Sequence, residues 1–276
     1  TAGRAETVAM NDVRAGDLYV TGHRGIRVLP LERSRESQPF EFMASAVSSE
    51  KPKAQIVHEV ANILRQVRDE GRLTIAVVGP AVVHTGAAPQ LARLIETGYV
   101  GCVFGGNAIA THDIESNLFG TSLGINLASG APVAGGHEHH LRAINTIRRA
   151  GGIRAAVDKG VLTGGLMYTL TKTGTPYVLA GSIRDDGPMP EVITDVMRAQ
   201  AEMRRYAQRA GACLMLSTML HSIAVGNMLP ASVRTVCADI NPAVVTKLAD
   251  RGSFQAIGIV TDVGLFVGQL ADELAR

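Results

Sequence analysis

Asp239 has the most chemically suggestive setting in the chain. It follows the short apolar run Thr235-Val236-Cys237-Ala238 and precedes Ile240-Asn241-Pro242, where a helical pattern begins. Asn241 can cap that helix, Pro242 suits its first position and Gly252 can terminate it. An acidic side chain at the carboxyl end of a buried strand can accept hydrogen bonds from the hydroxyls of an adenosine ribose. A hydrogen bond to a charged acceptor is worth about 1.5–3 kcal/mol. The same carboxylate would repel a 2′-phosphate, and no Arg follows until Arg251. The pattern therefore favours NAD over NADP.

Other polar residues fall in comparable places. Apolar runs end in Gly79-Pro80, in Gly105-Gly106-Asn107-Ala108, in Gly181-Ser182-Ile183-Arg184-Asp185-Asp186-Gly187, in Ser217-Thr218-Met219-Leu220-His221 and in Thr261-Asp262-Val263-Gly264. Ligands of open α/β sheets bind outside the carboxyl ends of the strands, so these ends would gather hydroxyls, carboxylates and backbone N–H groups into one crevice. No G-x-G-x-x-G is present, so any dinucleotide site departs from the usual fingerprint. Residues Thr218 to Ser222 are placed to offer N–H groups to a phosphate at a helix start. His112-Asp113, shortly after Asn107, is a candidate acid/base pair. The cluster Gly135-Gly136-His137-Glu138-His139-His140 lacks the spacing of a metal site, and no metal is expected.

Positioning such ends requires a parallel sheet. The runs Leu73–Val78, Tyr99–Phe104, Pro176–Ala180, Ala212–Leu216, Thr235–Ala238 and Ala256–Val260 are continuous, as strands buried on both faces are. Helical patterns separate most of them: Ile56 to Val67 ended by Gly71, then Ala87–Thr97, Leu141–Ala150, Glu191–Ala210 and Pro242–Asp250. The expected class is α/β: a Rossmann-like parallel sheet with helices on both faces, preceded by a small β-rich segment. Residues 1–50 form that lead-in, with extended runs at Leu18-Tyr19-Val20 and Ile26-Arg27-Val28-Leu29; residues 51–276 form the NAD-binding domain. The stretch from Asp113 to His140, with five glycines, reads as an irregular connection or flap.

Composition narrows the class further. Lys and Arg number 27 against 25 acidic residues, a formal charge of +2 without basic clusters, which argues against a nucleic-acid or membrane-surface partner. No window is long and apolar enough for a membrane span. Cys102, Cys213 and Cys237 are few, odd in number and set in apolar runs, which suits buried free thiols in a reducing cytoplasm.

Several blocks together carry a resemblance. They are Gly22-His23-Arg24-Gly25, Ser48-Ser49-Glu50-Lys51-Pro52, Gly79 through Gly86, Gly106-Asn107-Ala108 with His112-Asp113-Ile114-Glu115, Leu179 through Pro188, Thr218 through Asn227, and Asp239 through Pro242 followed by Thr261 through Phe266. From about Asp17 onward the chain resembles the archaeal-type ornithine cyclodeaminases, the LOR/SDH conserved region also found in the C-terminal part of bifunctional arginine dihydrolase/ornithine cyclodeaminases. The resemblance implies NAD-dependent conversion of L-ornithine to L-proline and ammonia. It implies NAD contacts at Asn107, Ala108, Asp186, Thr218, Met219, Leu220, His221, Asp239, Asp262 and Val263. The proton-transfer candidates are Glu50, Lys51, His112, Asp113 and Asp185. A homo-oligomer taking ornithine as its small-molecule substrate is expected. The rival readings are an NAD-dependent amino-acid or saccharopine-type dehydrogenase and a non-catalytic NAD-binding domain.

Overall fold

A computed structural model describes residues 5, 7–22, 25, 53–185, 187–250 and 256–276. The chain divides into two compact units, Thr1–Ser37 and Gln38–Arg276. In the first, the described residues hold one short 3-10 turn, Met10–Asp12, and a local knot in which Arg14 N–H and Asp17 meet the Tyr19 hydroxyl. Leu18-Tyr19-Val20 belongs to no strand among the described residues, and Ile26–Leu29 lies outside them.

The second unit is built on seven parallel strands: β1 (Leu73–Val78), β2 (Cys102–Gly106), β5 (Tyr177–Ala180), β6 (Val192–Ile193), β7 (Ala210–Leu216), β8 (Arg234–Asp239) and β9 (Ala256–Val260). Their order across the sheet is β6-β5-β2-β1-β7-β8-β9. The chain starts at β1, works outward to one edge, then returns to lay β7 against the other side of β1. The strand order thus reverses between β1 and β7, and the loops leaving these two strands diverge at their carboxyl ends.

Side chains alternate across the sheet and seed two cores. Ala76 and Val78 of β1, with Leu214 and Leu216 of β7, face α1 (Lys53–Asp69), α3 (Ala88–Glu96), α4 (Asn107–Phe119), α5 (His139–Ala150), α7 (Leu166–Thr173) and α11 (Val263–Leu274). Ile75, Val77, Cys213 and Met215 face α8 (Val196–Ala207), α9 (Met219–Gly226) and α10 (Pro242–Asp250). The three free cysteines lie buried on this second face, where desolvation pushes their thiols up and keeps them inert.

Most expected elements are present, with instructive shifts. β2 begins at Cys102 rather than Tyr99, because Tyr99 and Val100 are buried in the turn that precedes it. The helical pattern from Glu191 splits: Val192–Ile193 pairs with β5 as an edge strand, and α8 starts only at Val196, capped by the Asp195 carboxylate. The supposedly irregular stretch after Asn107 is largely ordered. It contains α4, the hairpin β3 (Thr121–Ser122) and β4 (Ile125–Asn126), and a 3-10 turn at Gly136–Glu138 leading into α5. There the backbone crosses itself closely: a Cβ on Gly124 would sit 2.7 Å from the Gly136 carbonyl carbon. Among the described residues no helix is long and apolar enough to cross a membrane.

The reversal of strand order leaves one crowded point. A Cβ on Gly79, just after β1, would overlap the Ser217 carbonyl oxygen and press on the Thr218 side chain. Ser217 itself takes a left-handed backbone, φ +50°, a conformation that is costly without glycine. Gly79→Ala is therefore expected to destabilise the fold by about 1–3 kcal/mol through overpacking and to displace the Ser217–Thr218 turn. Chemical denaturation of the purified variant beside the wild type measures this; equal midpoints would contradict it.

Candidate functional site

The ends of β1, β2, β5 and β7 open into one cavity of about 610 Å³, which is also lined by α4, α5, α9 and a short helix after β1. β1 contributes Gly79 and Pro80, and His84 follows on the short helix α2 (Ala81–His84). β2 runs directly into α4, which supplies Asn107, Ala108, Thr111 and His112. The loop after β5 adds Ser182, Arg184 and Asp185, and the turn after β7 adds Thr218, Leu220 and His221. Gly106 lets two of these walls meet: a Cβ there would lie 2.9 Å from the His221 ring.

Helix α4 organises the inner wall. Asn107, Ala108, Thr111, His112 and Glu115 recur at helical spacing and share a face. Buried Asn107 accepts a hydrogen bond from Met189 N–H (3.1 Å), tying the end of the post-β5 loop to the start of the helix. Thr111 lines the cavity, is only 3% exposed, and its hydroxyl meets no hydrogen-bond partner among the described residues. An orphaned hydroxyl of this kind calls for a ligand group to satisfy it.

Below His112 lies a connected polar cluster. His112 Nδ1 is 2.9 Å from the Glu115 carboxylate. Glu115 is fully buried and also accepts from the Thr121 hydroxyl (2.9 Å) and Gly124 N–H (3.2 Å). Desolvation pushes its carboxyl up, yet the bonds from His112, Gly124 and Thr121 outweigh it and hold the pKa below the usual range. Thr121 Oγ1 in turn meets His139 Nδ1 at 2.8 Å. The His84 ring stands edge-on to His112 with centroids 5.1 Å apart, and its Nδ1 meets Ser122 Oγ at 2.7 Å. Burial and the neighbouring His112 lower the His84 pKa, with Glu115 partly opposing them. His221 is also lowered by burial, against a pull from Asp185.

Of the proton-transfer candidates, His112 and Asp185 line the cavity. The Asp185 carboxylate accepts from Ser182 N–H at 2.8 Å and closes its own loop. Asp113 is not among the residues that line the cavity, so the structure does not bring it to His112's side of the helix. Its two oxygens take the N–H groups of Leu166 and Met167 at 2.7 and 2.8 Å, satisfying the start of α7. Neighbours on a helix point about 100° apart, which sends the two side chains to different places. Glu50 and Lys51 lie outside the described residues. Glu115 and His84 were absent from the candidate set. The spacing of three between His112 and Glu115 was the available signal, and it counts only once the segment is known to be helical.

Among the expected NAD contacts, Asn107, Ala108, Thr218, Leu220 and His221 line the cavity. Asp239 lies beside it: Ser217 N–H bonds to Ala238 carbonyl at 3.0 Å, so Asp239 flanks the Ser217–Thr218 turn on the adjacent strand. Asp239 is 8% exposed and its Oδ1 accepts from Asn241 N–H at 2.8 Å, while Asn241 caps α10 through Ala243 N–H. Met219 is partly buried and packs against the second core. Asp262 caps α11 by accepting from Leu265 N–H at 2.9 Å, and Val263 is buried in the core. Asp186 lies outside the described residues. Among the described residues no group of three His, Cys, Asp or Glu could hold a metal ion.

Comparison with known proteins finds close relatives. The family model for the Rossmann-fold C-terminal region of arginine dihydrolase ArgZ-like proteins matches residues 58–270, and that for the first C-terminal region matches residues 1–57. The ornithine cyclodeaminase of Methanocaldococcus jannaschii is 57% identical over 279 residues, covering 99% of this chain and 66% of that protein. The chain thus spans about two thirds of this relative's length. The crystal structure of a conserved LOR/SDH protein from Methanococcus maripaludis superposes with a TM-score of 0.86 at 56% identity, covering 92% of this chain and 78% of that one. AgrE, a bifunctional arginine dihydrolase/ornithine cyclodeaminase of Nostoc sp., solved as a ternary complex with ornithine and NAD+, superposes with a TM-score of 0.78 at 53% identity. That match covers 83% of this chain and 34% of AgrE.

Asp113 carries a pH signature. Burial raises its carboxyl from 3.8 to about 6, although the Leu166 and Met167 N–H bonds pull the other way. Between those values the folded state holds a proton the unfolded chain has released. This group's contribution is therefore complete at low pH and is lost as pH rises from about 4 to about 6. Urea unfolding of wild type and Asp113→Asn across that window should show this falling component in the wild type alone. Parallel pH profiles would contradict the assignment.

Proposed function

We propose, since this chain belongs to the ArgZ-like C-terminal family, that it is an NAD-dependent ornithine cyclodeaminase converting L-ornithine to L-proline and ammonia. The observation that carries this reading is the position of Asp239 beside the Ser217–Thr218 turn, at the carboxyl ends of adjacent strands next to the reversal of strand order. That is where a doubly wound sheet takes a dinucleotide. The residues fit such a group. Asp239 Oδ2 receives no hydrogen bond from the described residues and can accept from the ribose hydroxyls. The Thr218–His221 turn would offer backbone N–H groups to the phosphates, and Asn107 and Ala108 line the same cavity. Thr111 supplies an unpaired hydroxyl in the same wall.

NAD, when bound, supplies a hydride acceptor and donor within one turnover. The protein holds the substrate. Arg184 is the one Arg or Lys lining the cavity among the described residues, and it suits the substrate carboxylate. His84 and His221, kept neutral by burial, can accept or donate hydrogen bonds to the amines without repelling them. In this reading Asp186, Met219, Asp262 and Val263 contact NAD as the family resemblance implies, and Glu50, Lys51 and Asp185 remain candidates for proton handling. The active assembly is a homo-oligomer.

Incubation with ornithine and substoichiometric NAD is the direct test. Many turnovers, equal amounts of proline and ammonia, and no accumulating NADH are expected. Ornithine deuterated at Cα should yield proline that keeps the label at Cα. NADH formed mole for mole with product would point to a dehydrogenase instead, and NAD binding without turnover to a non-catalytic domain. Asp239→Ala should weaken NAD binding by about 1.5–3 kcal/mol, read by calorimetry, and should narrow the discrimination against NADP. Wild-type affinity in that variant would remove the ribose role.

A further inference from the structure

Glu115 is placed as no surface or merely structural carboxylate would be. It is fully buried, stays ionised, and directs one oxygen at a histidine of the cavity wall. Its other oxygen is pinned from behind by the Thr121 hydroxyl and Gly124 N–H. Thr121 is itself met by His139. A carboxylate fixed in this way does two things to His112. It keeps the ring proton on Nδ1, leaving the Nε2 lone pair for a ligand, and it offsets a positive charge should Nε2 take up a proton.

Resting on the cyclodeaminase reading, we infer that His112 and Glu115 form a proton-storing pair that serves the ring-closing step, with His112 as the catalytic residue and Glu115 as its positioning residue. Once hydride loss has left Cα as a protonated imine, C=NH2+, the substrate's δ-nitrogen bonds to Cα and must shed a proton. The α-nitrogen must gain one to leave. One proton serves both events. An N–H bond at the δ-nitrogen breaks as Nε2–H forms. Nε2–H then breaks as N–H forms on the α-nitrogen, whose bond to Cα breaks with the pair going to nitrogen; ammonia departs as the δ-nitrogen lone pair forms the C=N bond of the cyclic iminium. No proton or electron is left over. The Glu115 carboxylate stabilises the imidazolium between the two transfers without accepting the proton.

The surroundings suit that role. From α2, His84 stands over the ring and is neutral, so it does not oppose the stored charge. From the hairpin come uncharged groups, the hydroxyls of Thr121 and Ser122 and the backbone N–H groups of Leu123 and Gly124. From α5, His140 reaches the same cavity and His139 acts through Thr121. Arg184 and Asp185 face it from the post-β5 loop, and His221 from α9. Asp113, on the same helix, is committed to α7 and takes no part.

Glu115→Gln tests the pair: Gly124 N–H at 3.2 Å, closer than the Leu123 N–H at 3.4 Å beside the other oxygen, holds the amide oxygen on its side. The NH2 group then faces His112 Nδ1 as a donor and drives the ring proton to Nε2. ¹⁵N NMR of histidine-labelled full-length protein, with the resonance assigned by loss in His112→Asn, should show the Nδ1–H form in wild type and the Nε2–H form in the variant. The kcat for ornithine should fall at least about 100-fold, while KM for ornithine and Kd for NAD stay within about threefold. His112→Asn keeps a donor toward Glu115 and should show the same pattern, covering the case in which Glu115→Gln does not fold. Proline formed by His112→Asn within about twofold of the wild-type rate overturns the pair and leaves the cyclodeaminase reading intact. So does an unchanged tautomer with unchanged kcat in Glu115→Gln. Wild type that binds NAD and ornithine yet forms no proline overturns both.

Discussion

Nothing larger than hydrogen fits on Gly79, because the Ser217 carbonyl occupies the space a Cβ would need. This contact joins the ends of β1 and β7, the two neighbouring strands at which the chain reverses its direction across the sheet. The crevice exists because the loops leaving those strands part there, α2 on one side and α9 on the other. A wider approach would separate the Thr218–His221 turn from the α4 wall. Ser217 gives up a relaxed backbone to make the turn, and the parallel ladders on both sides supply the stability that tolerates it.

Helix α4 is the second element on which the site depends, and it serves two masters. One face presents Asn107, Thr111 and His112 to the cavity and Glu115 to the hairpin. The other presents Asp113 to α7, with Asn117 accepting from Thr163 N–H. Two carboxylates two residues apart on one helix therefore titrate in opposite directions. Asp113 receives two backbone N–H bonds but is so enclosed that burial wins and raises it; Glu115 gathers a histidine, a hydroxyl and a backbone N–H, and these win over burial. Depth of enclosure and the number and kind of donors decide the sign together. The first carboxylate stabilises the frame, and the second is free to serve the chemistry.

The hairpin after α4 closes this arrangement. Its glycines allow Gly124 and Gly136 to cross at backbone contact distance, and the crossing holds Thr121 and Gly124 N–H against Glu115. Ser122 engages His84 from the same strand. A segment that has almost no apolar core of its own is thereby fastened to the site through polar bonds.

Sequence alone determined the layers and the end of the strands at which the cavity opens. Six continuous apolar runs, each ending in small or polar residues, specify a parallel sheet buried on both faces, and all six occur as strands of that sheet. The acid at the end of β8, with Asn241 and Pro242 after it, was legible because strand end, cap and first helical turn are local events. Helix α4 was not legible: it is buried on nearly every side and polar on two faces, so no apolar stripe marks it. The pairing of His112 with Glu115 rather than with Asp113 was hidden with it, since the partner one residue away in sequence is a third of a turn away in space. Only the packing of α7 and the hairpin against α4 decided which carboxylate caps a helix and which meets the histidine, because those donors come from chain segments distant from one another in the sequence.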